Sequence, residues 1–242
     1  MAKRAFLSLV GEIEEGPGDA GGGSVSRTLI ERSYARLRDD IVEGRLGPGE
    51  KLRVEHLKAR YQVGAGTLRE AITRLVSDAL VVAEGQRGFR VAPMALSDLE
   101  DLTRLRLHIE IDALRQSMRR GDAQWRAQLQ QAYDELSRFE QPIRPDQTAI
   151  WEQCNVRFHE ALIAACDSPW TLKVLRLLSR HSERYRRCAI GLAESRRDVH
   201  AEHRQIFEMV MSGQEARAAL ALEAHICATP DLLARAGAFE KP

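Results

Sequence analysis

Residues Val54 to Ser77 read VEHLKARYQVGAGTLREAITRLVS. In the second half, Leu68, Ala71, Ile72 and Leu75 recur at i, i+3, i+4 and i+7, the spacing of a half-buried helix. In the first half, Leu57 and Tyr61 share a helix face, and Gln62-Val63-Gly64 makes a short turn between the two. Helix, short glycine-containing turn, helix is the pattern of a helix-turn-helix, whose second helix enters the DNA major groove. On its own the stretch fits an ordinary helical hairpin in an all-α core equally well.

The flanking residues bear on that choice. Before the stretch, Leu29, Ile30, Tyr34, Leu37 and Ile41 predict a helix over 26–43, ended by Gly44 and the turn Leu46-Gly47-Pro48-Gly49. After it, Leu80-Val81-Val82 and Phe89-Arg90-Val91 flank Glu84-Gly85-Gln86-Arg87-Gly88, two β-rich runs around a glycine-containing loop. Three helices and a β-hairpin make a winged helix, which favours the DNA reader. Charge points the same way: residues 25–94 hold 13 Lys/Arg against 9 Asp/Glu, whereas residues 95–242 hold 21 against 22.

Beyond Pro93 the pattern is helical throughout. Ser97 and Glu100 have capping-box spacing. Helices are expected over roughly 97–119, 122–140, 147–166, 169–190, 195–211 and 214–228, with Asp167 or Ser168 capping the fourth ahead of Pro169. The expected fold is mainly α: a winged helix-turn-helix over 26–93, then an all-α antiparallel bundle over 97–228. Residues 1–25 read as a disordered tail and 229–242 as a C-terminal tail. The 242 residues are 44% hydrophobic and 29% charged, and no apolar run reaches the roughly 18 residues that span a bilayer. No membrane association and a cytoplasmic location are expected. The four cysteines, Cys154, Cys166, Cys188 and Cys227, form no CxxC pair and read as reduced thiols.

For DNA, Thr67 and Arg69 occupy the first turn of the recognition helix, where a hydroxyl reaches a phosphate and an arginine a phosphate or guanine. Gly64 and Gly66, at the turn and the start of that helix, are counted with them as DNA-contact candidates. Arg38, Arg45 and Arg87, with Gly88 beside the last, are placed to approach the backbone from the first helix, its exit turn and the wing.

In the bundle, Asn155 and His159 are i, i+4 on one helix face. His203 and His225 flank the turn at Ser212-Gly213 symmetrically, so an antiparallel hairpin sets them level. Together the four could surround one cation, with Zn²⁺, Ni²⁺ or Mn²⁺ suited to imidazoles plus one oxygen. The alternative is one structural histidine and two exposed ones. His200 lies one turn from His203 and could take its place. Arg106 and Glu110 are either a surface ion pair or, with Arg106 in the bundle cavity, a site for a carboxylate ligand. Glu160 and Glu202 neighbour cation-ligand candidates but are expected on other faces.

The front unit resembles the GntR family of bacterial transcription regulators. The matching residues are Leu37-Arg38 with Ile41 and Gly44, Leu46-Gly47-Pro48-Gly49-Glu50-Lys51-Leu52, Leu57, Val63, Leu68-Arg69-Glu70-Ala71, Leu75, and Arg87-Gly88 with Val91. The back unit is similar to the helical FCD ligand-binding domain of the FadR-type subgroup, in Arg106 with Glu110, Asn155 with Phe158-His159, His203, and Ala224-His225. The resemblance implies a homodimer on a palindromic operator, a small-molecule effector that is often an organic acid, and a metal held by Asn155, His159, His203 and His225. No enzymatic activity is expected, because no clear acid/base partner neighbours the cluster in sequence. Two other expectations remain: a regulator that senses the metal itself, and a metalloenzyme with a DNA-binding appendage. The chain departs from the family pattern at Gly64-Ala65-Gly66-Thr67-Leu68, where Ser-Arg follows the turn valine and Pro-Val precedes Arg-Glu-Ala in many members, and at Asn155, where Asp is common.

Overall fold

The computed structural model describes residues 22–192 and 197–239. It is mainly helical, with one small sheet. α1 (Gly22–Val42), α2 (Val54–Tyr61) and α3 (Ala65–Ser77) build a three-helix head. α1 starts four residues earlier than the periodicity suggested, and the expected disordered segment up to residue 21 lies outside the described residues. Gln62 takes the left-handed conformation (φ 55°) that ends α2 and turns the chain into α3.

The wing carries one strand more than expected. β2 (Val81–Ala83) pairs antiparallel with β3 (Phe89–Val91), and β1 (Lys51–Leu52) pairs with the other edge of β3, in the order β1-β3-β2. A two-residue strand is too short to show alternation, so β1 left no signal in the sequence. Leu37, Ile41, Leu68, Ile72 and Leu75 fill the core of the head and bring α1, α3 and the sheet together.

The bundle consists of α4 (Leu96–Arg120), α5 (Ala123–Ser137), α6 (Thr148–Ile163), α7 (Pro169–Ile190), α8 (Val199–Met211) and α9 (Glu215–Arg235). Ser168 caps α7 as expected, its side chain accepting from the Thr171 amide at 3.3 Å, with Pro169 at the first position. The capping box at Ser97 does not form. Ala95 is the N-cap of α4, and the cap is supplied from α7: the Tyr185 hydroxyl accepts from the Ala95 amide at 3.3 Å and donates to Asp98 at 2.7 Å.

α9 also overturns the expected C-terminal tail, because it continues to Arg235 with Pro230 inside it. Proline removes one backbone donor there. Burial of Thr229, Pro230 and Leu233 offsets that loss, with Leu233 packed against Leu99, Tyr185 and Ala189. Leu114, Leu129, Phe158, Leu162, Ile206 and Leu222 form the centre of the bundle. All four cysteines are free thiols, and among the described residues no helix is long and apolar enough to cross a membrane.

Candidate functional site

The head presents the expected DNA-facing residues unevenly. Gly64, Gly66 and Arg69 are exposed at and just after the start of α3, and Thr67 is half-buried. A Cβ on Gly64 or Gly66 would meet nothing within 4 Å, so the fold does not require glycine at either place. Gly64 is the N-cap of α3 and supplies no side-chain bond. The start of the recognition helix is therefore bare. Arg87 is exposed in the turn between β2 and β3, beside Gly88 at φ 95°. Arg45 pairs with Asp40 at 2.5 Å and also with Glu43, and Arg38 pairs with Glu183 on α7.

Inside the bundle the three histidines converge. His159 on α6, His203 on α8 and His225 on α9 are all buried, and one ligand atom from each lies within 4.8 Å of the others. The ring centroids of His203 and His225 are 4.5 Å apart, the level pairing that the turn between α8 and α9 implied. Asn155 is buried one turn before His159 on the same helix. His200 stays outside the cluster and shares a carboxylate with it instead.

Each imidazole is set by its own carboxylate. His159 Nδ1 lies 3.0 Å from Glu110 Oε1, His203 Nδ1 2.7 Å from Glu140 Oε1, and His225 Nδ1 2.8 Å from Glu202 Oε2. A carboxylate accepts the Nδ1 proton, so this network assigns each Nε2 as a lone pair. Carboxylate–histidine pairs of this kind orient metal ligands. His203 Nε2 is buried and has no hydrogen-bond partner. An unsatisfied buried acceptor costs about 1–3 kcal/mol, and a divalent ion at the cluster would satisfy it. The donor set thus fits a metal.

The carboxylates are anchored in turn. The Arg106 Nε and Nη2 groups donate to Glu110 Oε2 at 3.1 and 2.8 Å, and Nη1 donates to Ser182 at 3.3 Å. The pair is buried, which excludes the surface ion pair, and the guanidinium fork is filled by Glu110 rather than open to a ligand. Glu140 also accepts from the Trp151 indole at 3.0 Å. Arg197 donates to Glu202, to Thr229 Oγ1 at 2.9 Å and to the His225 carbonyl at 2.9 Å. Glu160 pairs with Arg176 away from the cluster, as expected, but Glu202 does not point away and lies 2.8 Å from His225 Nδ1. Adjacency to His203 hid it: the two leave α8 on different faces, and Glu202 meets the histidine of α9. No spacing in the sequence indicated Glu140, which lies in a loop.

Burial lowers His159 from its ordinary 6.5 to about 4, although its bond to Glu110 opposes this. Burial raises Glu110, but the Arg106 guanidinium and His159 outweigh it and bring the carboxyl from 4.5 to about 2. His225 also falls well below 6.5, through burial and the neighbouring imidazoles. His159 and His225 are therefore neutral near pH 7, as ligands must be.

The sign follows by linkage. In metal-free protein the unfolded chain takes up the histidine proton first, so stability is lost as pH falls from about 6.5 towards 4. Glu110 adds to the loss below pH 4.5. The thermal midpoint of chelator-treated protein should drop between pH 7 and pH 5; a constant or rising midpoint would contradict neutral buried imidazoles.

Beside the cluster is a cavity of about 40 Å³. Asn155, His225, Thr229, Arg186 and Arg197 line it with polar atoms, while Trp151, Ile190 and Leu232 give it apolar walls. Arg186 is paired with the buried carboxylate of Glu152.

Residues 29–91 match the family described as bacterial regulatory proteins, gntR family, and residues 101–228 match the FCD domain. The HTH-type transcriptional regulator BphR of Paraburkholderia xenovorans (strain LB400) is 44% identical over 203 residues, 83% of each chain. The HTH-type transcriptional repressor GlaR of Escherichia coli (strain K12) is 31% identical over 198 residues, 80% of this chain and 90% of that one. Two solved structures share the fold. E. coli McbR/YncC has a TM-score of 0.67 at 18% identity, covering 86% of this chain and 98% of that one. A regulator from Rhodococcus sp. RHA1 has a TM-score of 0.66 at 20% identity, again covering 86% and 98%.

Proposed function

The chain belongs to the GntR family of bacterial regulatory proteins, with an FCD domain behind its helix-turn-helix, and is a transcription regulator; on that premise we propose that a divalent metal and a small organic acid bound beside it control its hold on DNA. The observation that carries this reading is the cluster of three buried imidazoles, each oriented by its own carboxylate. His159, His203 and His225 hold the ion through Nε2, and Asn155 is the nearby amide that can add an oxygen. Zn²⁺ suits this set best, and Ni²⁺ or Mn²⁺ can replace it. When bound, the ion supplies a Lewis-acidic centre to which a carboxylate oxygen can attach.

The acid enters the cavity lined by Asn155, His225, Thr229 and Arg186, with its carbon skeleton against Trp151, Ile190 and Leu232. Arg106 and Glu110 serve that site by fixing His159. In the head, Thr67 and Arg69 meet the major groove, and Arg87 with Gly88 meets the backbone from the wing. Arg45 and the exposed Gly64 and Gly66 complete that face. One head offers one recognition helix and so one half-site; a homodimer on a palindromic operator follows, as the family resemblance implies.

The size of the cavity favours a second reading. At about 40 Å³ it leaves room for little more than a few atoms, which suits a regulator for which the ion itself is the signal.

A thermal-shift screen of organic acids, with and without one equivalent of Zn²⁺, tests the first reading. An acid present at 100 times its Kd stabilises the folded state by about 2.7 kcal/mol. At least one acid should raise the midpoint of zinc-loaded protein and leave metal-free protein unchanged. If zinc binds and no acid shifts the midpoint, the second reading replaces the first.

A further inference from the structure

Helix α7 is in contact with both functional parts of the chain. Along one face Arg180, Glu183, Arg184 and Arg187 recur at i, i+3, i+4 and i+7, and each reaches the head. Arg180 lies 3.7 Å from Asp78, the C-cap of the recognition helix. Arg184 donates to the Ala92 carbonyl, just beyond β3, at 2.9 Å. Arg187 lies 4.0 Å from Glu43, and Glu183 pairs with Arg38 on α1. Towards the bundle, Ser182 accepts from Arg106, and Arg186 and Ile190 line the cavity beside His225. Contact between head and bundle therefore extends well beyond the Pro93 junction.

We propose that Glu183 withholds Arg38 from the DNA backbone, so that the effector domain competes directly with phosphate for one of the head's cations. The side chains of the pair are 22% and 7% exposed, so water screens the attraction only partly. Glu183 also accepts from Arg187 at 3.3 Å. A guanidinium held by a carboxylate, even one shared with Arg187, has less charge free to displace counterions from DNA, and that displacement supplies most of the affinity for phosphate. Releasing Arg38 requires α7 to draw Glu183 away, and α7 is the helix that carries Arg186 at the effector cavity. The inference rests on Arg38 being a backbone contact; it does not require a metal or an acid to be bound.

Phosphate contacts carry no sequence information, so a mixed-sequence 30-base-pair duplex is a sufficient probe. Its affinity is measured over a salt series for the native chain, Glu183→Gln, Arg38→Ala and the double variant. Glu183→Gln should bind about three- to tenfold tighter at 50 mM salt, with a slope of log K against log salt steeper by about one. In the Arg38→Ala background the same substitution should change affinity by less than about twofold. Glu183→Asp keeps the charge but shortens the reach; it should give a smaller gain, and it is the variant to use if Glu183→Gln lowers the unfolding temperature.

No gain from either Glu183 variant overturns the proposal. So does an equal gain with and without Arg38, which would mean only that removing a negative charge favours DNA. If Arg38→Ala does not weaken the Glu183→Gln protein, Arg38 is not a backbone contact and the proposal falls with that premise. Zinc and acid responses of the native chain on the same duplex are independent of these outcomes and separate this proposal from the effector reading.

Discussion

Replacing His203 with alanine should abolish tight metal binding and destabilise the bundle together. His203 has 0% side-chain exposure, and so does the Glu140 carboxylate that it bonds at 2.7 Å. Loss of a single orienting partner around a bound metal costs roughly 10- to 100-fold in affinity, and loss of a ligand costs more. Glu140 would retain Trp151 and the longer contact to His200 but lose its shortest bond. A buried hydrogen bond to a charged group contributes about 1.5–3 kcal/mol, so a stability loss of about 2 kcal/mol or more is expected without any metal present. Zinc titration of chelator-treated protein and urea unfolding check the two effects separately. Glu140→Gln should weaken zinc 10- to 100-fold while leaving all three imidazoles in place. Native-like zinc uptake by the His203→Ala protein would remove the histidine cluster from the account.

The second large effect belongs to the head. Arg69 is exposed near the start of α3, whose buried face is held by Leu68, Ala71, Ile72 and Leu75 at 0% exposure. Truncating an exposed side chain there leaves the fold intact. An arginine that reads a guanine contributes about 1–3 kcal/mol of discrimination. Arg69→Ala should therefore weaken binding to the DNA upstream of the chain's own gene by about tenfold or more, and relax the preference for that DNA over a mixed sequence. If Arg69 met phosphate alone, affinity would fall equally on both duplexes and the salt slope would lose about one. Unchanged affinity would sink the assignment of α3 as the recognition helix.

What could be read from the sequence follows the range of the interactions involved. The helical spacing of Leu68, Ala71, Ile72 and Leu75 is local, and the head followed from it. The level pairing of His203 with His225 followed from chain length on either side of one turn. Contacts across the sequence were hidden. Glu140 reaches His203 from a loop 63 residues away, and Glu183 reaches Arg38 across 145 residues. Tyr185 caps α4 from another helix, so the Ser97–Glu100 spacing suggested a box that tertiary packing made unnecessary. Residues 229–242 read as a tail, yet burial of α9 against Leu99 and Tyr185 carries the helix through Pro230 to Arg235. Arg106 and Glu110 were correctly paired, but only the fold showed that the pair faces inward onto His159.

The central claim is that the buried histidine site and the DNA head are coupled, and coupling of this kind between two sites amounts typically to 1–3 kcal/mol. The affinity of chelator-treated native protein for DNA upstream of its own gene, measured before and after one equivalent of Zn²⁺ and then across a series of organic acids, tests it most directly. The account predicts that zinc, or zinc with at least one acid, changes the affinity fivefold or more, and that His203→Ala abolishes the change. Uptake of one zinc per chain with no change in DNA affinity, alone or with every acid, would contradict it.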